Sequence, residues 1–221
     1  MNASPPTAPL ACPALELRVE DLCVERGGRR VLDRLGFALR AGEALKIAGP
    51  NGAGKSTLLR AIAGLLPRLS GRVALEGAGS DDLALNLHYL AHADGLRAAL
   101  SVAENLEFWA AYLAAPAGAA KSCSVAEALA RVSLAHLAEA PVAFLSAGQK
   151  RRVALARLLV AYRPVWLLDE PLTALDARAR AQFAQAMQGH CAGGGMILAA
   201  THEPLGLETT RELALGARSP A

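Results

Sequence analysis

Short apolar runs alternate along this chain with amphipathic and Ala-rich stretches. Leu15–Val19 switches between apolar and polar residues with a period of two, which predicts a strand, and Arg26-Gly27-Gly28-Arg29 predicts the turn after it. The run Ala44–Ala48 predicts another strand that ends in a glycine-rich loop, and Thr57–Leu65 follows with helical spacing. Residues 94–162 are Ala-rich and read as several helices. Val165–Leu168 and Met196–Ala200 are again strand-like, each ending in polar residues. Strands separated by helices imply an α/β fold with a mostly parallel sheet, ligands at the C-terminal ends of its strands, and the helical middle as an inserted lobe. No internal repeat is visible.

Composition narrows this picture. The 221 residues suit one domain, residues 14–221, preceded by Met1–Pro13. That lead-in holds four prolines and no basic side chain, so it reads as disordered and lacks the positive start of a signal peptide. The expectation is a chain that stays in the cytosol. Hydrophobic residues reach 53%, an excess carried by Ala, Leu and Val, which excludes a disordered chain. The longest charge-free apolar stretch, Phe108–Ala120, is broken by Pro116 and falls short of the ~20 residues a membrane span needs.

Charge and cysteines exclude further classes. With 23 basic against 20 acidic residues, the net charge of +3 is too small to imply nucleic acid or anionic lipid as a partner. Cys12, Cys23, Cys123 and Cys191 are scattered without zinc spacing and read as free, mostly buried thiols. His88 and His92 are four apart but fall in a strand-to-loop stretch, poorly suited to a metal pair.

Four segments carry candidate chemistry. Gly49-Pro50-Asn51-Gly52-Ala53-Gly54-Lys55-Ser56 fits G-x-x-x-x-G-K-[ST] in full, between a strand and a helix. Its glycines let several backbone N–H groups face one point, and the following helix adds its positive end. Lys55 would reach the β- and γ-phosphates, Ser56 would ligate Mg2+, and Thr57 would help at the α-phosphate. The run from Val165 ends in Asp169-Glu170, where Asp169 suits Mg2+ and Glu170 can accept a proton from an attacking water. Alone, that pair is an ordinary strand-end charge cluster; beside a complete phosphate loop it is a second half-site. Thr201-His202 ends the last strand, where an imidazole could contact the γ-phosphate or simply sit at the surface. Leu145-Ser146-Ala147-Gly148-Gln149 opens the helix Lys150–Tyr162, with Ser146 readable either as part of an anion site or as a plain N-cap.

Taken together, these residues resemble the ATP-binding subunits of ABC transporters. The phosphate loop, the Leu145–Gln149 signature, Asp169-Glu170, Leu175-Asp176 and His202 occur in that family's order, from Leu15 to Leu207. The resemblance implies a P-loop NTPase fold of ABC type: a mostly parallel core sheet, N-terminal antiparallel strands and an inserted α-helical subdomain over residues 94–162. It implies ATP and Mg2+ as ligands, and a head-to-tail pair of identical subunits. Ser146, Ala147, Gly148 and Gln149 would then act in trans on the second subunit's ATP, with Asp176 in the dimer loop. The family's usual adenine-stacking aromatic is missing from Cys23–Gly28, which leaves Arg26 to stack there. His92 stands where the family has a Gln near magnesium, making it a further candidate metal contact.

Tyr89–His92 with Asp94–Leu96, Glu104–Trp109, Leu145–Arg157, Trp166–Pro171 and Thr201–Leu205 are similar to the haem-exporter ATP-binding subunits of bacterial cytochrome c maturation. That similarity implies ATP hydrolysis driving haem export or release of a haem-loaded chaperone. It also implies membrane permease partners (CcmB-like, with CcmC-like and CcmD-like subunits) and a peripheral place on the cytoplasmic face of the inner membrane. Direct haem binding is not expected: the chain has no C-x-x-C-H, and His136 and His190 read as surface residues. An exporter subunit for another substrate, such as a drug or lipid, is the main alternative. A soluble ABC ATPase acting on nucleic acid or ribosomes fits less well, given one cassette and no heptad run. A nucleotide-sensing adaptor is disfavoured because Glu170 is present.

Overall fold

The computed structural model describes residues 15–78, 80, 82–113 and 122–216. The lead-in expected over residues 1–13 lies outside them, as does residue 114 onward of the Phe108–Ala120 stretch. The N-terminal alternation extends into two long strands, β1 (Glu16–Arg26) and β2 (Arg29–Arg40), which pair antiparallel across the turn at Gly27-Gly28. Next come β3 (Ala44–Ala48) and α1 (Lys55–Ile62), and then β4 (Ser70–Glu76), which pairs antiparallel with the other edge of β1.

The second sheet adds β5 (Leu87–Leu90), β6 (Val165–Asp169), β7 (Met196–Ala200) and β8 (Arg211–Ala214). Its order is β5-β6-β7-β3-β8, and every neighbouring pair is parallel. Each residue of β6 and β7 is buried, as continuous apolar runs require in a sheet covered on both faces. Between β5 and β6 lie α2 (Val102–Tyr112), α3 (Val125–Arg131) and α4 (Ala147–Val160), and α5 (Ala177–Ala192) separates β6 from β7. Three of these helices open on reciprocal caps, Ser101 with Glu104, Ser124 with Glu127 and Ser146 with Gln149. That cap is why α4 begins at Ala147, ahead of the expected Lys150. Among the described residues, no helix is long and apolar enough to cross a membrane.

Three cores result. On one face of the parallel sheet, Leu58, Leu59 and Ile62 of α1 pack with Leu17 and Leu39 of the antiparallel sheet against Ile47 and Leu198. On the other face, Leu155 and Leu158 of α4 and Phe183 and Met187 of α5 cover Trp166, Leu168 and Ile197. The inserted lobe has its own core, in which Val102, Leu106, Leu129 and Leu134 meet Val153 and Val160 of α4. Helix α4 therefore belongs to two cores at once, and it is apolar on both sides rather than along a single stripe.

Polar links hold these layers in register. Arg151, one turn into α4, is only 3% exposed, and all five of its N–H groups find an acceptor. Nη1 donates to Ala91 O (3.0 Å) and Asp94 Oδ1 (3.0 Å), Nη2 to Asp169 O (3.0 Å) and Glu170 O (2.7 Å), and Nε to Pro171 O (3.3 Å). The buried ring of His88 in β5 places Nε2 2.6 Å from Ala161 O at the end of α4. Burial pushes the His88 imidazole down to about 3, so it is neutral in the folded protein.

Some expectations need correction. His190 is not a surface residue: it is 8% exposed, stacked 4.0 Å from the Trp166 ring, with Nε2 3.2 Å from Pro164 O. His136 is exposed as expected. Cys23 is buried, but Cys123 and Cys191 are only half-buried; all three are free. Cys12 lies outside the described residues.

Two outcomes follow from these links. Between pH 6.5 and 3 the unfolded chain binds a proton at His88 that the folded chain refuses, so stability falls as pH drops through that window. Chemical denaturation should show a loss of about 2 kcal/mol from this group between pH 7 and pH 5, absent in His88→Gln. Arg151→Met strands four carbonyls and Asp94 without their donor and should cost about 3 kcal/mol or more in the same assay.

Candidate active site

The site lies where β3, β6 and β7 end together. At Gly49 φ is +142°, and a Cβ there would sit 2.4 Å from the Leu215 carbonyl oxygen, so the turn out of β3 requires glycine. The loop feeds straight into α1, whose N-cap, Gly54, offers no side-chain cap to the first amides. Those N–H groups and the helix's positive end remain available to an anion. Thr57 is buried in the first turn of the helix, and Ala53 packs against the first core.

Lys55 opens α1, and its ammonium reaches back to the start of the loop. Nζ donates to Gly49 O (2.7 Å) and Pro50 O (3.2 Å) and lies 3.0 Å from His202 Nε2. His202 Nε2 is also 3.1 Å from Asn51 Oδ1. The strand-end histidine thus reaches the phosphate loop across 147 residues of sequence.

Ser56 Oγ donates to Asp169 Oδ1 at 2.9 Å. Asp169 is 4% exposed, and its other oxygen accepts from Tyr89 Oη at 3.5 Å. Arg60 Nε donates in turn to Tyr89 Oη (3.3 Å). Burial lifts the Tyr89 phenol above its ordinary range, so it stays a donor. A hydroxyl and a carboxylate side by side are the oxygen donors that Mg2+ takes alongside phosphate oxygens and water, so this pair fits the ion. His92, by contrast, is exposed in the loop after β5 and is not among the residues lining the cleft. Tyr89, three residues earlier, is the β5 side chain that meets Asp169.

Glu170 adopts φ +45°, a left-handed conformation that costs a non-glycine residue of order 1 kcal/mol. Its N–H donates to Ala200 O (2.8 Å) and its carbonyl accepts from Arg151, so the backbone is held at both ends of the residue. This turns its side chain into a cleft of about 630 Å³ that also exposes Asn51, Lys55 and Ser56 and reaches Arg26, Gly27 and Val31 at its far end.

The signature and the Leu175-Asp176 loop form a separate face. Ser146 Oγ accepts from Gln149 N (3.2 Å) and Gln149 Oε1 accepts from Ser146 N (2.8 Å), so Ser146 is an N-cap here. Ala147 opens α4, and a Cβ on Gly148 would lie 2.8 Å from Ala174 O, so a larger residue would push the two loops apart. Asp176 caps α5 by accepting from Ala179 N (2.7 Å). Arg180 joins the two ends of this face: Nε donates to Leu175 O (3.0 Å) and its guanidinium pairs with Glu203, next to His202. Sequence reasoning missed Tyr89, Arg151 and Arg180. Among the described residues, no group of three His, Cys, Asp or Glu could hold a metal by itself.

The ABC transporter family profile matches residues 32–173. A cytochrome c biogenesis ATP-binding export protein from Chelativorans sp. (strain BNC1) is 52% identical over 205 residues, covering 92% of this chain and 99% of that one. Its counterpart from Nitrobacter winogradskyi is 54% identical over 196 residues, or 88% of this chain and 94% of that protein. A solved structure of the ATP-binding subunit of an ABC transporter superposes with a TM-score of 0.78, over 91% of this chain and 88% of that one, at 23% identity. The two strand-end carboxylates, the glycine loop and the histidine across from it are thus set in a shared α/β frame, and the chain belongs to the ABC transporter ATPases, among the cytochrome c biogenesis ATP-binding export proteins.

Proposed function

We propose that this chain is the ATP-hydrolysing subunit of a cytochrome c maturation transporter, in which ATP turnover drives haem export or release of a haem-loaded chaperone. The observation that carries the hydrolytic reading is the convergence of Ser56 on Asp169 and of Lys55 on His202, joining three strand ends at one point. In this reading the Gly49–Thr57 loop wraps the phosphates with its amides. Lys55 exchanges its loop carbonyls and His202 for β- and γ-phosphate oxygens. Ser56 and Asp169 would hold Mg2+, which would supply positive charge to offset that of the phosphates. Glu170 accepts the proton of the attacking water, and His202, released from Lys55, turns to the γ-phosphate. Arg26 lies along the base.

Two copies pair head to tail, so that Ser146, Ala147, Gly148 and Gln149 of one close on the ATP of the other, with Asp176 beside them. The membrane subunits are CcmB-like, with CcmC-like and CcmD-like partners, and the chain sits peripherally on the cytoplasmic face of the bacterial inner membrane. What supports a docking role for the inserted lobe is an aromatic group on α2. Phe108 and Tyr112, 47% and 70% exposed, stack at 5.9 Å beside a hollow of about 330 Å³. Solvent-facing aromatics grouped in this way mark partner surfaces. Haem is carried by the partners, and nucleic acid plays no part.

In an ATPase assay, Glu170→Gln should bind ATP normally, lower turnover by about 10²–10⁴ and accumulate as an ATP-bound dimer on size exclusion. Sustained hydrolysis in that variant refutes the general-base role. Lys55→Ala should weaken ATP binding by roughly ten- to a hundredfold in equilibrium titrations, through loss of a charge-assisted contact.

A further inference from the structure

Phe144 is 84% exposed, more than any other exposed large apolar side chain among the described residues. Its surroundings hold it out. Val142 and Leu145 on either side are buried in the lobe core, which turns the ring between them toward solvent. The N–H groups of Val142, Ala143 and Phe144 donate to Leu100 O (3.0 Å), Ala98 O (3.0 Å) and Pro141 O (3.1 Å). The ring is therefore presented on a rigid platform and has little freedom left to lose on binding. It stands two residues before Ser146, at the head of the signature helix.

The nucleotide cleft has the complementary deficit. At its base end the lining residues are Arg26, Gly27 and Val31, and no aromatic ring is among the residues that line it. A guanidinium can cover one face of a purine, which leaves the other face to water.

We infer that Phe144 of one copy covers the adenine of the ATP held in the phosphate loop of the other, opposite that copy's Arg26. This deepens the head-to-tail reading proposed above and rests on it. The ring is continuous with the signature that closes on the phosphates, so one surface meets both ends of the nucleotide. Stacking on a ring face is indifferent to the base's hydrogen-bonding edge. Phe144 accordingly rewards the presence of a base and leaves the choice between adenine and guanine to other contacts.

The test uses the full chain in the Glu170→Gln background, with ATP, GTP and ribose 5′-triphosphate as probes. Dimer formation is followed by analytical ultracentrifugation against nucleotide concentration. Phe144→Ala, a change at an exposed position, should raise the ATP and GTP concentrations for half-dimerisation roughly ten- to a hundredfold and leave that for ribose triphosphate unchanged. Phe144→Trp should dimerise as well as the parent, and its added emission should be quenched by ATP only at concentrations that form the dimer. If the parent dimerises but Phe144→Ala does so at the same ATP concentration, and the introduced indole is not quenched, the inference is overturned while the paired ATPase stands. Such a ring serves another partner, a membrane subunit included. If the parent itself forms no dimer with ATP, the head-to-tail reading fails and takes this inference with it.

Discussion

Everything at the active site depends on one buried cation. Arg151 enters from the signature helix and gives its five N–H groups to the loop after β5 and to three successive backbone carbonyls at the end of β6. Charge in a low-dielectric interior is costly unless satisfied, and among the described residues only Asp94 pairs with it as a formal counter-charge. The remaining acceptors are carbonyl dipoles, which must stay where they are for the guanidinium to remain solvated. The consequence is geometric: the helix that carries the signature, the loop that leads into the inserted lobe and the backbone of Glu170 form one unit.

That unit explains how Glu170 tolerates a left-handed backbone. The residue is pinned by its N–H to Ala200 on β7 and by its carbonyl to Arg151 on α4. Strain of this kind persists only where surrounding bonds over-determine it. Arg180 performs a similar service on the opposite side, linking the Leu175 carbonyl to the Glu203 carboxylate that follows His202. Lys55, for its part, is held by two loop carbonyls and an imidazole. In the proposed role the position of Lys55 is prepared in advance, and nucleotide would replace contacts instead of ordering a loose side chain.

Legibility in the sequence followed the range of the interaction. The phosphate loop, the Ser146 cap and the buried strands are local: a glycine at a left-handed turn, a Ser at the head of a helix, an unbroken apolar run. Each appears in a short window, so β3 and β7 have the bounds their residues suggest. Arg151, Tyr89 and Arg180 were not legible, because an arginine within Lys150–Arg152 looks like any solvated helix charge until its acceptors, distant in sequence, are brought to it. His190 was misjudged for the same reason: its partner, Trp166, is 24 positions away on another element. The extent of β1 and β2 was hidden by register shifts at Val19, Leu22 and Val24, which break the period-two pattern where the strands bend. The double membership of α4 has no periodic signature either, since a helix buried on both sides shows no single stripe.

Neighbouring strands β5 and β6 are joined by the whole of residues 91–164. Pairing them in an unfolded chain means closing a very long loop, at an entropic cost that grows with the logarithm of its length. Condensation of the lobe, whose helices make local contacts and carry their own caps, would shorten that loop before the two strands pair. Helix α4 carries Arg151 one turn from its start, and that side chain ties the loop after the edge strand β5 to the end of β6. The connectivity thus makes the inserted lobe a splint against which the β5 edge of the sheet is set.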